Sequence, residues 1–332
     1  MIALDRRNHR MRWVATLAAA GAVLVGAAGC GDDDDVAAAG EGAAKGGSRI
    51  GYITATGVSY YTCVAKGLRQ QVESAGNTYL EAVTEGTPES ELSAAEDLLA
   101  QDADVVVLLS VAPRGGNQVV STVADSGKKV VVINNDAFLT DDARQKVAAS
   151  YAWDFRELGA SAGDVAVDHF PAGTKAAAVE PTPGGVHEMY EGFKDTVTKA
   201  GFEWRGFFPA KTYSPADVQS ATEDLLTSEP DVEVIYTDDT EPTPAIRAAI
   251  AAADSKAVIV PTGGRDEDKD LVRDGSLLGY SAVSAYPLGD GAGKIANAIA
   301  AGDDAPALPE PEPIAASEEN LDEVPNYCSP TS

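Results

Sequence analysis

The chain has 332 residues, of which 44% are hydrophobic and 23% are charged, and its formal net charge at pH 7 is −27. This length exceeds one typical compact core, so we expect two lobes, and the recurring apolar runs exclude intrinsic disorder for most of the chain. Such an acidic chain repels phosphate backbones and anionic lipid headgroups. We therefore expect no nucleic-acid partner and no electrostatic docking on a membrane surface.

The first thirty residues have the pattern of an export signal. Four arginines precede an apolar run at residues 13–28, and small residues lie directly before Cys30. These features are typical of secretion signals, and the run is shorter than the ~20 apolar residues of a membrane-spanning helix. The end of the run resembles a lipoprotein signal, which predicts a signal peptide at residues 1–29 and lipid attachment at Cys30. The alternative is an uncleaved signal anchor with an incidental cysteine.

The next segment, rich in Gly, Ala and Asp, has no hydrophobic periodicity. This composition is typical of a flexible tether, so residues 30–47 are interpreted as the lipidated cysteine and its tether. The chain is thus expected outside the cytoplasm, held to the outer face of the cell membrane by the lipid anchor only.

Two cysteines, Cys63 and Cys328, remain once Cys30 is assigned to the lipid. In an oxidising compartment two remaining cysteines favour a disulfide, which here would tie the tail of the chain to its first helix. The alternative is a pair of buried free thiols.

From residue 49 onward, short runs typical of strands alternate with amphipathic helical patterns. The predicted strands of the first half are 49–54, 78–83, 105–109 and 130–134. The helical patterns between them are 61–73, 91–99 and 119–124. The run 105–109 is apolar throughout, as expected for a strand buried on both faces of a parallel sheet.

The alternation then starts again. The predicted strands are 175–180, 204–209, 232–237 and 257–262, and the predicted helices are 188–200, 215–226, 245–253 and, after the stretch 277–284, 289–300. A proline-rich extended tail follows at 305–313. Two doubly wound parallel-sheet lobes with a cleft between them are therefore predicted, and such sheets bind ligands at the carboxyl ends of their strands.

Five stretches resemble, in the same order, the type I periplasmic solute-binding proteins of the ribose and galactose kind. They are 93–111, 154–163, 224–240, 270–302 and 319–322, and the resemblance extends over residues 48–325. It implies three crossings of the chain between the lobes. The first lobe would comprise 48–152 plus 284–311, and the second 153–283 plus 312–332.

The resemblance also implies a function. Members of this family serve ABC importers, so a small-molecule solute and a membrane permease are the expected partners, and we expect a monomer. An alternative is that the lipoprotein presents its ligand to a membrane sensor kinase. A regulator of the lactose-repressor type shares the fold, but it would need a helix-turn-helix where this chain has its export signal.

The resemblance places candidate ligand contacts in the first lobe. Ser59, Tyr60 and Tyr61 stand where the family stacks aromatic rings on a sugar, although the tyrosines could instead cap the first helix. Asn134 and Asn135 stand where the family often has an Asp-Arg pair. Amides keep donors and acceptors but lose the charge-assisted bonds.

Other candidates follow from the second lobe and the crossings. Trp153 could form a second stacking wall or pack at a hinge, while His187 stands at a common arginine position. Asp238 replaces the usual Asn, Gly263 stands where an Asp is normal, and Ser284 lies near a common Gln. With no matched arginine or lysine, the cleft favours a neutral sugar, polyol or related solute over an anion, and also accommodates an amine near Asp238.

Other patterns carry no predicted site. Asp266, Asp268 and Asp270 alternate as in a calcium loop, but Leu271 stands where that loop needs Gly, so a solvated charge run is expected. Three histidines are too scattered for a zinc site. The chain has no nucleophile or phosphate-loop motif, so we expect neither an enzyme nor a bound metal or cofactor.

Overall fold

The computed structural model describes residues 47–55, 59–134, 136, 138–181, 186–325 and 327–330. The predicted signal peptide, Cys30 and the tether before residue 47 lie outside these described residues. Lys45–Ser332 forms one compact unit.

The first lobe is built on a five-stranded parallel sheet with the strand order β2-β1-β3-β4-β5. Its strands are β1 Arg49–Ala55, β2 Thr78–Thr84, β3 Val105–Leu108, β4 Lys129–Asn134 and β5 Ala149–Ala152. Its helices are α1 Ser59–Ser74, α2 Pro88–Ala100, α3 Pro113–Asp125 and α4 Asp141–Arg144. Strand β3 is buried along its whole length, as its run of β-branched residues predicts.

The second lobe contains a six-stranded sheet with the order β11-β10-β9-β8-β6-β7. Its helices are α5 Phe155–His169, α6 His187–Lys199, α7 Pro215–Ser228, α8 Thr243–Ala252 and α9 Asp266–Arg273. Its strands are β6 Lys175–Glu180, β7 Glu203–Pro209, β8 Val234–Thr237, β9 Val258–Gly263, β10 Gly279–Ala282 and β11 Ile314–Ser317. The edge strand β11 runs antiparallel to β10, and the other pairings are parallel.

The predicted fold class of two α/β lobes is confirmed, with local differences. Strands β5 and β11 were not expected, because each has only four residues and little hydrophobic alternation. The acidic run at 266–270 lies in helix α9, where negative charge is stabilised by the positive end of the helix dipole.

The last long helix, α10 Ala285–Ala301, returns to the first lobe and packs along α1. Two glycines allow this approach, since a Cβ on Gly67 would lie 2.3 Å from the Tyr286 carbonyl oxygen and a Cβ on Gly289 would lie 2.0 Å from that of Val64. The α5–α6 pair of the second lobe uses Gly159 in the same way. Each lobe thus holds one tightly packed helix pair.

The chain passes between the lobes from β5 to α5, from β10 to α10, and from α10 to β11. After β11 it passes across once more. Cys328 forms a disulfide with Cys63 on α1, and the backbone N–H of Tyr286 donates to the Tyr327 carbonyl at 3.1 Å. The predicted boundary, which gave 312–332 to the second lobe, therefore differs at its end, because these bonds hold the tail on the first lobe.

Candidate ligand-binding site

A cavity of about 160 Å³ lies between the lobes, at the carboxyl ends of strands from both sheets. The first lobe contributes Tyr60, Tyr61, Asn134 and Trp153. The second lobe contributes Phe155, Leu158, Met189, Asp238, Asp239, Thr262, Gly263 and Arg265, followed by Val283 and, from the tail, Tyr327. Open α/β sheets bind ligands at this position, so the cavity is the candidate site.

Two hydrogen bonds hold the aromatic wall of the first lobe. The Trp153 indole N–H donates to the Tyr60 hydroxyl at 2.8 Å, and that hydroxyl donates to Asn134 Oδ1 at 2.8 Å. Tyr61 meets the Tyr60 ring edge-on, with the ring centroids 6.0 Å apart. Burial raises the pKa of Tyr60 well above its usual range, so its hydroxyl stays protonated. The wall is therefore neutral and ordered, which suits stacking against the C–H face of a small ring.

Asn134 ends β4 in the left-handed backbone region, with a φ of 70°. Asparagine tolerates this region better than most side chains, and residues held there are concentrated at binding sites. Because its Oδ1 already accepts from Tyr60, Asn134 offers its Nδ2 donor to a ligand. The second predicted amide, Asn135, lies outside the described residues.

The second lobe presents charged groups to the same cavity. The Arg265 guanidinium forms an ion pair and hydrogen bond with Asp239 Oδ1, and it lies 3.9 Å from Glu241 Oε2. The Arg265 side chain is only 15% exposed. The sequence matched no arginine or lysine to the cleft, and the structure adds Arg265, although this cation is already engaged by carboxylates of the protein.

A buried carboxylate positions the loop that carries Arg265. Asp268 Oδ2 accepts from the backbone N–H of Gly264 and of Arg265, each at 2.9 Å, and from the Thr240 hydroxyl at 3.2 Å. Gly264 has a φ of 137°, and a Cβ there would lie 2.3 Å from the Val283 carbonyl oxygen. Only glycine fits this turn, so the Gly263-Gly264 pair serves the backbone geometry that directs Arg265 into the cavity.

Asp238 is the least satisfied polar group of the cavity. Its Oδ1 and the hydroxyl of Tyr190 are both buried and make no hydrogen bond of good geometry among the described residues, although Tyr190 lies near enough to lower the pKa of Asp238. Burial, together with the charge of Asp239, raises the pKa of Asp238 to about 7. A buried oxygen without a partner is costly, so a ligand hydroxyl or amine that bonds to Asp238 would be stabilising.

Comparison with known families agrees with this arrangement. Residues 50–304 match the family model of the periplasmic binding protein domain, which is most of the chain. The chain belongs to the periplasmic binding protein family. The resemblance inferred from sequence is thus confirmed at the level of family and fold.

Individual relatives of this periplasmic binding protein are distant. The ribose import binding protein of Haemophilus influenzae is 24% identical over 235 residues, which cover 69% of this chain and 77% of the relative. A crystal structure of a periplasmic ribose ABC transporter protein from Conexibacter woesei has a TM-score of 0.72 at 20% identity, covering 84% and 94% of the two chains. A solute-binding protein of Bacillus halodurans with bound myo-inositol has a TM-score of 0.74 at 15% identity, covering 84% and 98%.

The family and these relatives are substrate-binding proteins of transport systems, so the expectation that the chain is not an enzyme is confirmed. Within the described part of this periplasmic binding protein, no group of three or more His, Cys, Asp or Glu is placed to hold a metal ion. No helix in the same part has the length and apolar character needed to cross a membrane.

Three predicted contact residues do not line the cavity of this periplasmic binding protein. His187 begins α6 with a side chain 55% exposed, and its ring nitrogens lie 3.2 Å from Glu180 Oε1 and 3.4 Å from Glu191 Oε1. Ser59 is the exposed first residue of α1, and Ser284 precedes α10. His187 contacts these two carboxylates and does not line the cavity.

Several lining residues were not predicted from the sequence. Phe155 and Leu158 lie on one face of the helix that begins directly after Asp154, whose side chain accepts from two backbone N–H groups as an N-cap. Their place directly after the crossing between the lobes is the sequence feature that could have identified them. Tyr327 directly precedes Cys328, so following the predicted disulfide would have led to it.

Proposed function

We propose that this protein is the extracytoplasmic receptor of an ABC importer, and that it captures a small neutral sugar, polyol or related solute by closing its two lobes. The observation that carries the proposal is the division of the cavity between the lobes. Tyr60 lines it from the first lobe, where its ring can stack on a solute, and Asp238 lines it from the second, where its carboxyl group can accept hydrogen bonds. A solute that touches both lobes binds best to the closed arrangement and shifts the population toward it.

The charge balance of the cavity supports a neutral solute. Arg265 is paired with Asp239, so it offers no free counter-charge to a carboxylate or a phosphate. An anion would also face Asp238, which lies in the same cavity. Burying an unpaired charge is costly, whereas hydroxyl groups can donate to carboxylates and accept from Asn134. The relatives named for ribose import and solved with myo-inositol support the same class of ligand.

We also propose that Cys30 carries the lipid that holds the receptor at the outer membrane face, as a monomer beside its permease. The support is the signal pattern in the sequence and the requirement that an importer's receptor stay near its permease. In a Cys30→Ala variant, the protein should leave the membrane fraction or accumulate as an unprocessed precursor. Normal processing with continued membrane association would contradict the lipid anchor.

A ligand screen tests the binding function. Sugars, polyols, cyclitols and amines are added to the chain without its signal peptide, and the unfolding temperature is measured. A solute at 100 times its Kd should add about 2.7 kcal/mol of stability, because it binds only the folded state. D-ribose and myo-inositol are the first candidates.

The variants Tyr60→Ala and Asp238→Ala then connect the stabilisation to the cavity. Each should reduce the shift in unfolding temperature, because each removes one contact from one lobe. The expected loss for the ring is roughly 1–3 kcal/mol, or about 5- to 150-fold in affinity. An unchanged shift in both variants would mean that the solute binds elsewhere.

A further inference from the structure

After the three crossings described above, the C-terminal segment connects the two lobes once more. Leu321 and Val324 are each 4% exposed and pack in the core of the second lobe. The Lys269 ammonium donates to the Val324 carbonyl at 2.8 Å. The chain up to Val324 therefore belongs structurally to the second lobe.

Four residues later the same segment is bonded to the first lobe. Cys328 forms the disulfide with Cys63 on α1, and the Lys66 ammonium donates to the Cys328 carbonyl at 2.9 Å. An extended chain spans at most ~3.3–3.6 Å per residue, so the step from Val324 to Cys328 covers no more than about 14 Å. The lobes cannot separate further at this point unless the segment leaves one of them.

The disulfide lies beside the aromatic wall. Tyr60 and Cys63 are three residues apart on α1 and so share one helix face. This geometry brings Tyr327, next to Cys328, against Tyr60, with the ring centroids 6.2 Å apart. Tyr327 is 6% exposed and lines the cavity. Burial raises its pKa, and Asp239 and the Arg265 guanidinium lie near its hydroxyl, which stays protonated.

We propose that Tyr327 is a ligand-contacting wall of the cavity, and that the Cys63–Cys328 disulfide is the device that positions it there. The inference deepens the proposed function and rests on it for the identity of the ligand. Tyr327 contacts Tyr60 of the first lobe, while its hydroxyl faces the charged groups of the second. It therefore extends the stacking surface and offers a hydroxyl to the solute. Without the disulfide, this end of the segment keeps the hydrogen bonds with Lys66 and Tyr286 and the ring contact with Tyr60, but it loses its covalent attachment to the first lobe.

The test uses tryptophan fluorescence, because one tryptophan of the cavity can be isolated as the only reporter. The chain has three tryptophans, of which Trp13 lies in the predicted signal peptide. In a Trp204→Phe background without that peptide, Trp153 is the single tryptophan, and it is bonded to Tyr60 inside the cavity. Trp153 also lines a separate open pocket beside Ala305 and Pro306, so the change in acrylamide quenching between variants, and not its absolute value, measures access to the cavity with no ligand present. Tyr327→Ala and reduction of the disulfide with a phosphine should each increase the quenching constant.

Binding of D-ribose and of myo-inositol is measured by titration on the same proteins. Tyr327→Ala should lower the affinity for the solute that binds by at least about fivefold, whereas Tyr327→Phe should retain most of the affinity. The affinity of the double variant Cys63→Ala/Cys328→Ala should lie between these two. Tyr79→Ala, which removes a ring of equal size from strand β2, should leave both quenching and affinity unchanged.

The two readouts separate the two proposals. Quenching that is unchanged by Tyr327→Ala and by reduction would overturn the inference, whichever solute binds. If no sugar, polyol or cyclitol of the screen binds the unmodified protein, the ligand class of the proposed function fails, while increased quenching still supports Tyr327 as a wall of the cavity. If the double cysteine variant does not fold, reduction of the folded protein provides the same test.

Discussion

The two lobes contribute chemically different halves to one cavity. The half from the first lobe is neutral and already hydrogen-bonded, since Trp153, Tyr60 and Asn134 satisfy one another. The half from the second lobe is charged, and Asp238 keeps a buried oxygen without a partner among the described residues. The first half can therefore bind a ring without losing any bond of its own, whereas the second needs polar groups from the ligand.

This difference has a consequence for closure. In an open cleft, water would solvate the carboxylates of Asp238 and Asp239. Closing without a solute removes that water and leaves buried polar groups unsatisfied, which costs free energy. A polyhydroxylated solute supplies the missing donors. The charged half thus penalises empty closure, and the aromatic half supplies contact area to whatever solute enters.

In each lobe, a buried carboxylate supports a loop by accepting hydrogen bonds from its backbone. In the first lobe, buried Glu91 accepts from the backbone N–H of Val111 at 2.9 Å and from the Ser110 hydroxyl at 2.8 Å. In the second lobe, buried Asp268 holds the loop of Gly264 and Arg265. Only the loop held by Asp268 lines the cavity, so the same support positions a ligand-facing charge in one lobe alone.

The largest expected effect concerns the disulfide, which attaches the tail to the neutral half. The two cysteines are 265 residues apart in sequence, so in the chain-entropy model the bond stabilises by about 5–6 kcal/mol. Reduction should lower the free energy of unfolding by an amount of this order in urea denaturation. The unreduced protein should show no free thiol on alkylation, and two freely alkylated thiols would contradict the bond.

A paired substitution compares the two supporting carboxylates. Asp268→Ala and Glu91→Ala should each cost about 2–3 kcal/mol of stability, because each leaves buried backbone donors without an acceptor. Only Asp268→Ala should also weaken solute binding, since it releases Arg265 from its position. The measurements are urea denaturation and titration calorimetry. Equal losses of affinity in the two variants would remove the distinction between the loops.

A smaller effect, the pH dependence of folding stability, distinguishes the charged half from the neutral half. The pKa of Asp238 is raised to about 7, so the ligand-free folded state holds a proton that the unfolded chain releases near its ordinary pKa of 3.8. Its contribution to stability is therefore complete below about pH 4 and is lost as the pH rises through 7. With allowance for partial exposure, the loss is about 1–2 kcal/mol.

Asp238→Asn should flatten this part of the stability profile in urea denaturation. Asp104 on the first lobe is a control of opposite sign. The backbone N–H of Arg49 and the ammonium of Lys128 lower its pKa, so its contribution is present at neutral pH and is lost in acid. If Asp238→Asn leaves the profile between pH 4 and pH 7 unchanged, the carboxyl is not buried as described.

The fold could be predicted from the sequence more completely than the site. Alternating strand and helix patterns define both sheets. Each parallel sheet brings residues that follow or end its strands to its carboxyl edge, Tyr60 and Asn134 in the first lobe and Asp238 in the second, and the cavity lies between these edges. Arg265 could not be placed, since its direction depends on the turn at Gly264. His187 was misplaced because its direction depends on nearby carboxylates, which no local pattern reveals.

The central claim is that both halves hold one solute molecule at the same time, and a double-mutant cycle tests it most directly. Calorimetric affinities are measured for the unmodified protein, Tyr60→Ala, Asp238→Ala and the double variant, with D-ribose or myo-inositol, whichever binds. If closure joins the halves, the double variant should lose less than the sum of the single losses, with a coupling of about 0.5–1 kcal/mol. Strictly additive losses, or an affinity that neither substitution changes, would contradict the account.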